Sequence, residues 1–190
     1  MVNDYTRNFG YFLENSDEDY AVSAAFLEEY HHRFLGNKKN MEWLDVGRGT
    51  GTKVINILKG NENYRGLLNL SDIELDFIEP SKDLKEIALE RFSQGGLSGT
   101  IRQISLLKWE EFVKVQRGSY DIITLFHSVY GIDISYLNRI IDYLKDGGYA
   151  CIVVESPDSD LYKIKRELFP QVFKEDFVSF YEAVIDSLRY

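Results

Sequence analysis

Short apolar segments alternate with longer amphipathic segments along most of the chain, and this alternation predicts strands separated by helices. The segment Ile73–Ile78 alternates apolar and polar side chains, as a half-buried strand does. A short apolar strand is predicted at 42–46, and a weaker strand pattern occurs at 100–104. Two continuous apolar runs, 122–126 and 150–154, predict strands that are buried on both faces, as the central strands of a parallel sheet are.

Apolar residues at intervals of three and four predict the helices between these strands. The first helix begins at a capping-box spacing around Ser16 and is closed by Gly36. A short helix is predicted over 109–115, and the remaining helices are predicted from their apolar faces. These faces are Val22, Phe26, Tyr30 and Phe34; Val54, Ile55 and Leu58; Leu84, Ile87, Ala88 and Phe92; Leu137, Ile140, Ile141 and Leu144, ending before Gly147; and Phe177, Phe180, Tyr181, Val184, Ile185 and Leu188.

The order of strands and helices predicts an α/β fold. We expect a doubly wound, mostly parallel sheet of about five strands with helices on both faces. Such sheets bind ligands at the carboxyl ends of their strands, so those ends are the candidate site. A length of 190 residues suits one domain, and no repeat, linker or low-complexity segment interrupts it.

Three glycines at alternate positions follow the first predicted strand: Gly47, Gly49 and Gly51. Glycine lacks a β-carbon, so it accepts positive φ and lets a ligand approach the main chain. The helix that follows adds free N–H groups and the positive end of its dipole. The turn, including Thr50, therefore predicts a site for a nucleotide-like cofactor.

The spacing of the glycines distinguishes between cofactors. It departs from the dinucleotide pattern G-x-G-x-x-G, which leaves a nicotinamide oxidoreductase as the weakest hypothesis. Asp45 lies two residues before the first glycine. Its negative charge would repel a pyrophosphate and would suit an ammonium group. S-adenosylmethionine carries such a cationic amino-acid end, so we expect it to be the cofactor.

An acidic residue, Glu79, closes the second predicted strand. An acid at this point can accept hydrogen bonds from both ribose hydroxyls of a bound adenosine. The competing interpretation is a solvated acid at a strand end. The glycine turn one strand earlier favours the ribose role.

The stretch from Asp45 to Gly51 resembles the first motif of the class I, Rossmann-like methyltransferases, which use S-adenosylmethionine. The resemblance implies that Ser105, after the third strand, contacts the adenine amine. It also implies that Phe126 and His127, at the end of the fourth strand, lie beside the sulfonium of the cofactor. Serine after a strand is also ordinary turn chemistry.

Several segments resemble histamine N-methyltransferase and its relatives in order and approximate spacing: 77–81, 120–123 continuing to 129–130, and 169–171. At the N-terminus the matching residues are Tyr5, Phe9, Phe12, Leu13, Ser16 and Glu18, in a pattern where aromatics and a glutamate wall an amine pocket. The resemblance implies that Tyr5, Phe9, Glu18 and His127 bind the substrate. Tyr130 is a further candidate, because an aromatic ring can hold an onium group by cation–π attraction. The competing interpretations are a glutamate that complements a helix dipole, a structural histidine and ordinary core aromatics.

These assignments predict N-methylation of a small, cationic amine by in-line displacement. Glu18 and His127 are the catalytic candidates, because either can accept the proton that the amine loses. The resemblance divides the single domain 1–190 into a substrate-side helical segment, 1–40, a cofactor-binding core, 41–155, and C-terminal helices, 156–190. No metal is expected, since the neighbouring His31 and His32 point about 100° apart on a helix.

Composition excludes several other classes of protein. Apolar residues make up 44% of the chain, enough for a core, and no apolar run approaches the roughly 20 residues of a membrane helix. The 22 basic and 31 acidic residues leave a net charge of −9, which disfavours nucleic acid and favours cationic small molecules. A single cysteine, Cys151, and a start without a signal-peptide pattern predict a cytoplasmic protein.

The sequence departs from the methyltransferase pattern in two respects. Arg48 places a bulky cation between the first two glycines, and the sequence ends at Tyr190 without the last two strands of the usual sheet. The strand 150–154 is then expected near an edge of the sheet. Either the polypeptide is a shortened member of the family, or a second copy or a partner protein covers that edge. These departures keep a second hypothesis open: an inactive methyltransferase-like subunit that binds the cofactor or a partner protein.

Overall fold

The computed structural model describes residues 18–34, 39–47, 49–60, 68–159, 162–163, 167 and 176–187. Strands and helices alternate along these residues, as predicted. The strands are β1 (Met41–Val46), β2 (Ile73–Ile78), β3 (Ile101–Ser105), β4 (Tyr120–Phe126) and β5 (Leu144–Val153). The α-helices are α1 (Glu18–Phe34), α2 (Thr52–Lys59), α3 (Lys82–Gln94), α4 (Trp109–Val115) and α5 (Asp176–Ser187).

The five strands form one parallel sheet in the order β3-β2-β1-β4-β5. Strand β4 pairs in parallel with both β1 and β5. All seven residues of β4 are buried, as predicted for a central strand. The chain proceeds outward from β1 in one direction and then in the other, which is the doubly wound arrangement, and the carboxyl ends of all five strands share one edge. The predicted α/β class is confirmed.

Strand β5 lies at an edge of the sheet that the described residues form, as predicted, but it is not buried on both faces. Of its ten residues only Tyr149 is buried, and the run 150–153 is half-buried. The strand also starts earlier than predicted. Its first part contains Gly147 and Gly148, and the pairing with β4 shifts register between Tyr120 and Ile122. A β-carbon on Gly148 would lie 2.9 Å from the carbonyl oxygen of Tyr120, so the close approach of β4 requires glycine there.

The crossover segment before β5 is a 3₁₀-helix over Ile134–Tyr143, where the sequence predicted an α-helix. The buried residues Leu137, Ile140 and Tyr143 are spaced three apart, and three residues per turn place them on one face. Ile141, predicted to lie on that face, is 50% exposed. Leu144, also assigned to it, is instead the first residue of β5.

The chain divides into two compact units. The first contains the described residues of Met1–Met41, Gly49–Glu74 and Asp83–Arg102. Within it α1 packs against α2. The buried residues are Phe26, Leu27 and Tyr30 of α1 and Val54, Ile55, Ile57 and Leu58 of α2. The predicted face of α1 is confirmed at Phe26 and Tyr30, whose rings stack 6.5 Å apart.

The second unit contains the described residues of Glu42–Arg48, Leu75–Lys82 and Gln103–Tyr190. Its apolar cluster joins β1, β4, α4 and the 3₁₀-helix, with Val184 of α5 fully buried in it. Trp109, Phe112 and Tyr143 form a group of three aromatic rings in this cluster. Each such large apolar side chain contributes roughly 1.5–3 kcal/mol when fully buried. This cluster holds the strands whose ends form the candidate site.

None of the helices in the described part of the chain combines the length and the apolar character that crossing a bilayer requires. The predicted division of 1–190 into a substrate-side segment, a cofactor-binding core and C-terminal helices stays a prediction.

Candidate functional site

The carboxyl ends of the five strands are tied together in a single rim, and all of its contacts lie within the second unit. Each contact joins neighbours in the sheet order, from β3 across to β5. The contacts are Glu79 N to Ser105 O at 3.0 Å, Gly47 N to Ile78 O at 2.8 Å, Ser128 Oγ to Val46 O at 2.5 Å and His127 N to Val153 O at 3.0 Å. The residues that the sequence assigned to strand ends therefore lie along one continuous edge.

Gly47 begins the glycine turn, and its neighbour explains why glycine is needed. The residue has a φ of +71°, and a β-carbon on it would lie 2.2 Å from Cβ of Ser128. The sequence predicts close approach of a cofactor at Gly47. The structure adds close approach of the segment after β4, which no local pattern reveals.

The rest of the turn, Gly49 to Gly51, belongs to the first unit. Gly49 has a φ of +55° and Gly51 a φ of +74°, so both adopt the left-handed conformation that favours glycine. Gly51 is also the N-cap of α2, without a side-chain capping bond, and its carbonyl accepts the amide of Ile55. The predicted turn into a helix N-terminus is confirmed.

Thr50 contacts two residues that the sequence interpretation missed. Its Oγ1 lies 3.0 Å from Oγ1 of Thr52, and Nη1 of Arg91 donates to both hydroxyls, at 3.2 and 2.5 Å. Arg91 lies in the last turn of α3, where a cation suits the dipole of that helix. Only its basic character at a helix C-terminus was visible in the sequence.

Asp45 is buried, with 3% of its surface exposed. Its Oδ1 accepts a hydrogen bond from Thr124 Oγ1 on β4, and Thr124 accepts one from Trp43 Nε1 at 2.8 Å. The hydroxyl proton of Thr124 therefore points at Asp45, which suits an ionised carboxylate. Its contact with a cofactor stays a prediction.

Glu79 is 4% exposed, and this excludes the interpretation as a solvated acid. Its Oε1 accepts a hydrogen bond from Ser81 N at 2.8 Å, which fixes the carboxylate over its own turn. Ser105 is also buried, and its Oγ accepts a hydrogen bond from Gln103 Nε2 at 3.2 Å. Two of the polar residues predicted to hold an adenosyl group are thus buried neighbours along the rim.

Two stacked aromatic rings, those of His127 and Tyr130, follow the end of β4. Phe126 is buried, and the next residue, His127, has a φ of +55°, which is uncommon for a side chain with a β-carbon. The ring of His127 stacks on that of Tyr130 with centroids 6.5 Å apart. Tyr130 is 41% exposed, and its hydroxyl oxygen accepts a hydrogen bond from the backbone N of Glu155 at 2.5 Å. The structure thus brings together two of the five predicted substrate residues.

Other predicted residues lie outside the described part of the chain. Tyr5, Phe9 and Arg48 are among them, as is the side chain of Glu18, whose backbone begins α1. His31 and His32 are both exposed, with ring centroids 6.2 Å apart.

A charged cluster stabilises the opposite, amino ends of the strands. Lys145 Nζ contacts Glu42 Oε2 at 2.6 Å and the buried Asp121 Oδ2 at 3.0 Å. Burial alone would lower the pKa of Lys145, but the hydrogen bonds to Glu42 and Asp121 outweigh it and raise that pKa. The cluster anchors β1, β4 and β5 at the end away from the rim.

A family model described as a methyltransferase domain matches residues 18–184, which is most of the chain. The chain belongs to this family of methyltransferase domains. No curated protein matches the sequence. The methyltransferase assignment made from the glycine turn is confirmed, whereas the narrower resemblance to histamine N-methyltransferase stays a prediction.

Solved structures resemble this methyltransferase domain. A Methanococcus maripaludis protein, provisionally assigned as an S-adenosyl-L-methionine-dependent methyltransferase, is 19% identical with a TM-score of 0.64, covering 96% of this chain and 82% of that chain. The plantazolicin methyltransferase BpumL, in complex with SAH, is 17% identical with a TM-score of 0.60, covering 95% and 60%. A Galdieria sulphuraria protein, provisionally assigned as a sarcosine dimethylglycine methyltransferase, is 15% identical with a TM-score of 0.51, covering 65% and 42%. At these identities the likeness confirms the predicted Rossmann-like methyltransferase fold.

Proposed function

We propose that this methyltransferase domain transfers a methyl group from S-adenosylmethionine to the nitrogen of a small amine. One observation carries the proposal: a buried acid adjoins the first glycine of the turn. Gly47 N donates to the carbonyl of Ile78, and Glu79 is the next residue. An adenosyl ligand needs both features, because its ribose hydroxyls require an acceptor and its remaining atoms require close main chain.

The cofactor residues divide by the part of the ligand that each suits. Asp45 and the glycine turn, with Gly47, Gly49, Thr50 and Gly51, suit the cationic amino-acid end. Glu79 suits the ribose, Ser105 the adenine and Phe126 the region of the sulfonium. Asp45, Glu79 and Ser105 are buried, and each accepts a hydrogen bond from a neighbouring residue. Side chains fixed in this way are ordered before a ligand arrives, which supports these roles. The SAH bound to BpumL, which shares the fold, is further support.

When bound, S-adenosylmethionine supplies the methyl group: the amine lone pair forms the N–C bond while the C–S bond breaks and its electron pair stays on sulfur. His127 accepts the proton that the amine loses, directly or through water. The half-exposed ring of Tyr130 attracts the cationic substrate. The resemblance also assigns Glu18, Tyr5 and Phe9 to the amine. Holding the reacting atoms in line contributes roughly 7–11 kcal/mol.

The net charge of −9 supports a cationic small molecule rather than nucleic acid as the substrate. The proposal includes a second copy or a partner protein over the β5 edge, because an uncovered edge strand invites pairing. The narrower resemblance to histamine N-methyltransferase supports the choice of an aromatic-lined amine pocket.

The test is a methyl-transfer assay against paired acceptors. The purified protein is incubated with S-adenosylmethionine and a panel of small primary, secondary and tertiary amines, each matched with an alcohol of the same carbon skeleton. Mass spectrometry measures S-adenosylhomocysteine and the methylated product. We expect both products with amines and neither with the matched alcohols.

Three other results would contradict the proposal. Methylation of the alcohols alone would support methyltransferase activity but would refute an amine as the methyl acceptor. Binding of S-adenosylhomocysteine without turnover of any acceptor would favour the inactive subunit. A folded protein that binds neither compound would refute the cofactor as well.

A further inference from the structure

We infer that Arg91 is a positioning residue that orders the glycine turn before the cofactor binds. The inference rests on the proposed function only for its consequence, the effect on affinity. Arg91, Thr50 and Thr52 are here called the threonine clamp. All three lie in the first unit and are partly buried.

The clamp is a closed triangle of polar atoms. Nη1 of Arg91 lies 3.2 Å from Thr50 Oγ1 and 2.5 Å from Thr52 Oγ1, and the two hydroxyl oxygens are 3.0 Å apart. A guanidinium has donors but no acceptors, and Nη1 carries two protons. One proton can therefore serve each hydroxyl, so a single side chain holds both the turn and the first residue of α2.

The turn needs such an external restraint. Gly49 and Gly51 adopt positive φ, and glycine loses more conformational entropy on ordering than any other residue. A β-carbon on Gly49 would meet no atom within 4 Å, so it is the positive φ, and not a close neighbour, that favours glycine there. The N-cap of α2, Gly51, makes no side-chain capping bond. Among the described residues, the clamp supplies the side-chain hydrogen bonds to Thr50.

Order in the turn matters for binding because the ligand would otherwise have to impose it. Fixing the backbone of a residue costs about 1–2 kcal/mol, and a turn ordered in advance spares the ligand that cost. Loss of the clamp should therefore weaken binding and raise KM for the cofactor. Removal of the Arg91 side chain alone should leave kcat at saturating cofactor unchanged, because that side chain is assigned to no reacting atom.

The central variant is Arg91→Met, and Arg102→Met is its matched control. Arg102 lies in the same unit, and its contact with Glu74, at 2.8 Å, joins two exposed side chains. Both variants remove one positive charge, but only the first removes the clamp. Thr50→Val with Thr52→Val removes the clamp from the other side, and Thr52→Ser keeps the hydroxyl.

The first measurement is amide hydrogen exchange of residues 49–53 in the protein without ligand. We expect exchange about tenfold faster in Arg91→Met and in the double valine variant, and unchanged exchange in Arg102→Met and Thr52→Ser. Unchanged exchange in both clamp variants would refute the clamp, whether or not the protein binds a cofactor. If Arg91→Met does not fold, the Thr50→Val, Thr52→Val double variant still tests whether the clamp orders the turn.

The second measurement is the affinity for S-adenosylhomocysteine. We expect Kd to rise about tenfold in Arg91→Met, which changes no residue assigned to the cofactor, and less than twofold in the controls. Faster exchange with unchanged Kd would overturn the positioning role. If the wild type itself does not bind, the proposed function fails, while the exchange measurement still decides whether the clamp orders the turn.

Discussion

His127 holds a backbone conformation that its side chain makes costly. A non-glycine residue at a φ of +55° is strained by about 1–3 kcal/mol, and such strain persists where the surroundings enforce it. Here the amide of His127 donates to Val153 O, and its ring stacks on Tyr130. The strain directs the imidazole to the end of β4, where the proposed reaction needs a proton acceptor.

The variants His127→Gly and His127→Ala separate the strain from the chemistry. Both remove the ring, but only glycine relieves the positive φ. We expect His127→Gly to be more stable than His127→Ala by about 1 kcal/mol, in the opposite order to an ordinary loop position. Denaturant unfolding measures the difference. Methyl transfer should fall about a hundredfold in both. An alanine variant as stable as the glycine variant would contradict the strain, and unchanged kcat would remove His127 from catalysis.

At the residue scale, the acids and glycines of the site could be predicted, but their partners could not. Residue type and position in the sequence identify Asp45, Glu79 and the three glycines as candidates. They do not identify Ser128, Thr124 and Arg91, because the contacts of these residues join positions 82, 79 and 41 residues apart. Only the folded sheet and helices bring such pairs together, and a serine, threonine or arginine has many uses elsewhere.

At the scale of elements, the rim depends on how closely β1 and the segment after β4 approach each other. The contact of Gly47 with Ser128 is the tightest of these approaches, and Ser128 Oγ also donates to Val46 O. The two residues should therefore be strongly coupled in their effects on stability.

A double-mutant cycle tests this coupling. Gly47→Ala forces a β-carbon onto Ser128 and strains φ, so we expect it to destabilise the protein by about 3 kcal/mol. Adding Ser128→Gly removes the clash but not the strain, and should recover about 1–2 kcal/mol of the loss. The free energies of unfolding of the four proteins give the coupling. Strict additivity would show that the two residues do not meet.

Elements whose apolar residues follow a clear period could be predicted from the sequence. Elements whose structure depends on packing against neighbouring elements could not. The bounds of β2 and α4 match the alternating and helical patterns closely. The segment Ile134–Tyr143 was assigned to an α-helix because its apolar residues fit spacings of three and four. The buried set follows a strict spacing of three, and burial decides between these periods. The half-burial of β5 likewise depends on its place in the strand order, which composition does not reveal.

At the scale of the whole molecule, the candidate residues at the strand ends lie along one edge of a parallel sheet. The strand order β3-β2-β1-β4-β5 brings the ends of β1 and β2 together, and with them Gly47 and Glu79. The doubly wound, parallel class of sheet was predicted from the alternation of strands and helices, and the candidate chemistry was predicted from the glycine turn and the acid. The proposal assigns the substrate partly to Tyr5, Phe9 and Glu18, whose side chains lie outside the described residues.

Calorimetric titration with S-adenosylhomocysteine tests the central claim most directly. Glu79→Gln keeps the size of the side chain and its acceptor for Ser81 N but removes the charge, whereas Glu74→Gln makes the same change at an exposed position of β2. We predict saturable binding by the wild type, a Kd raised roughly tenfold to a hundredfold in Glu79→Gln, and a Kd within about twofold of wild type in Glu74→Gln. No binding by the folded wild type, or equal affinity of the two variants, would contradict the account.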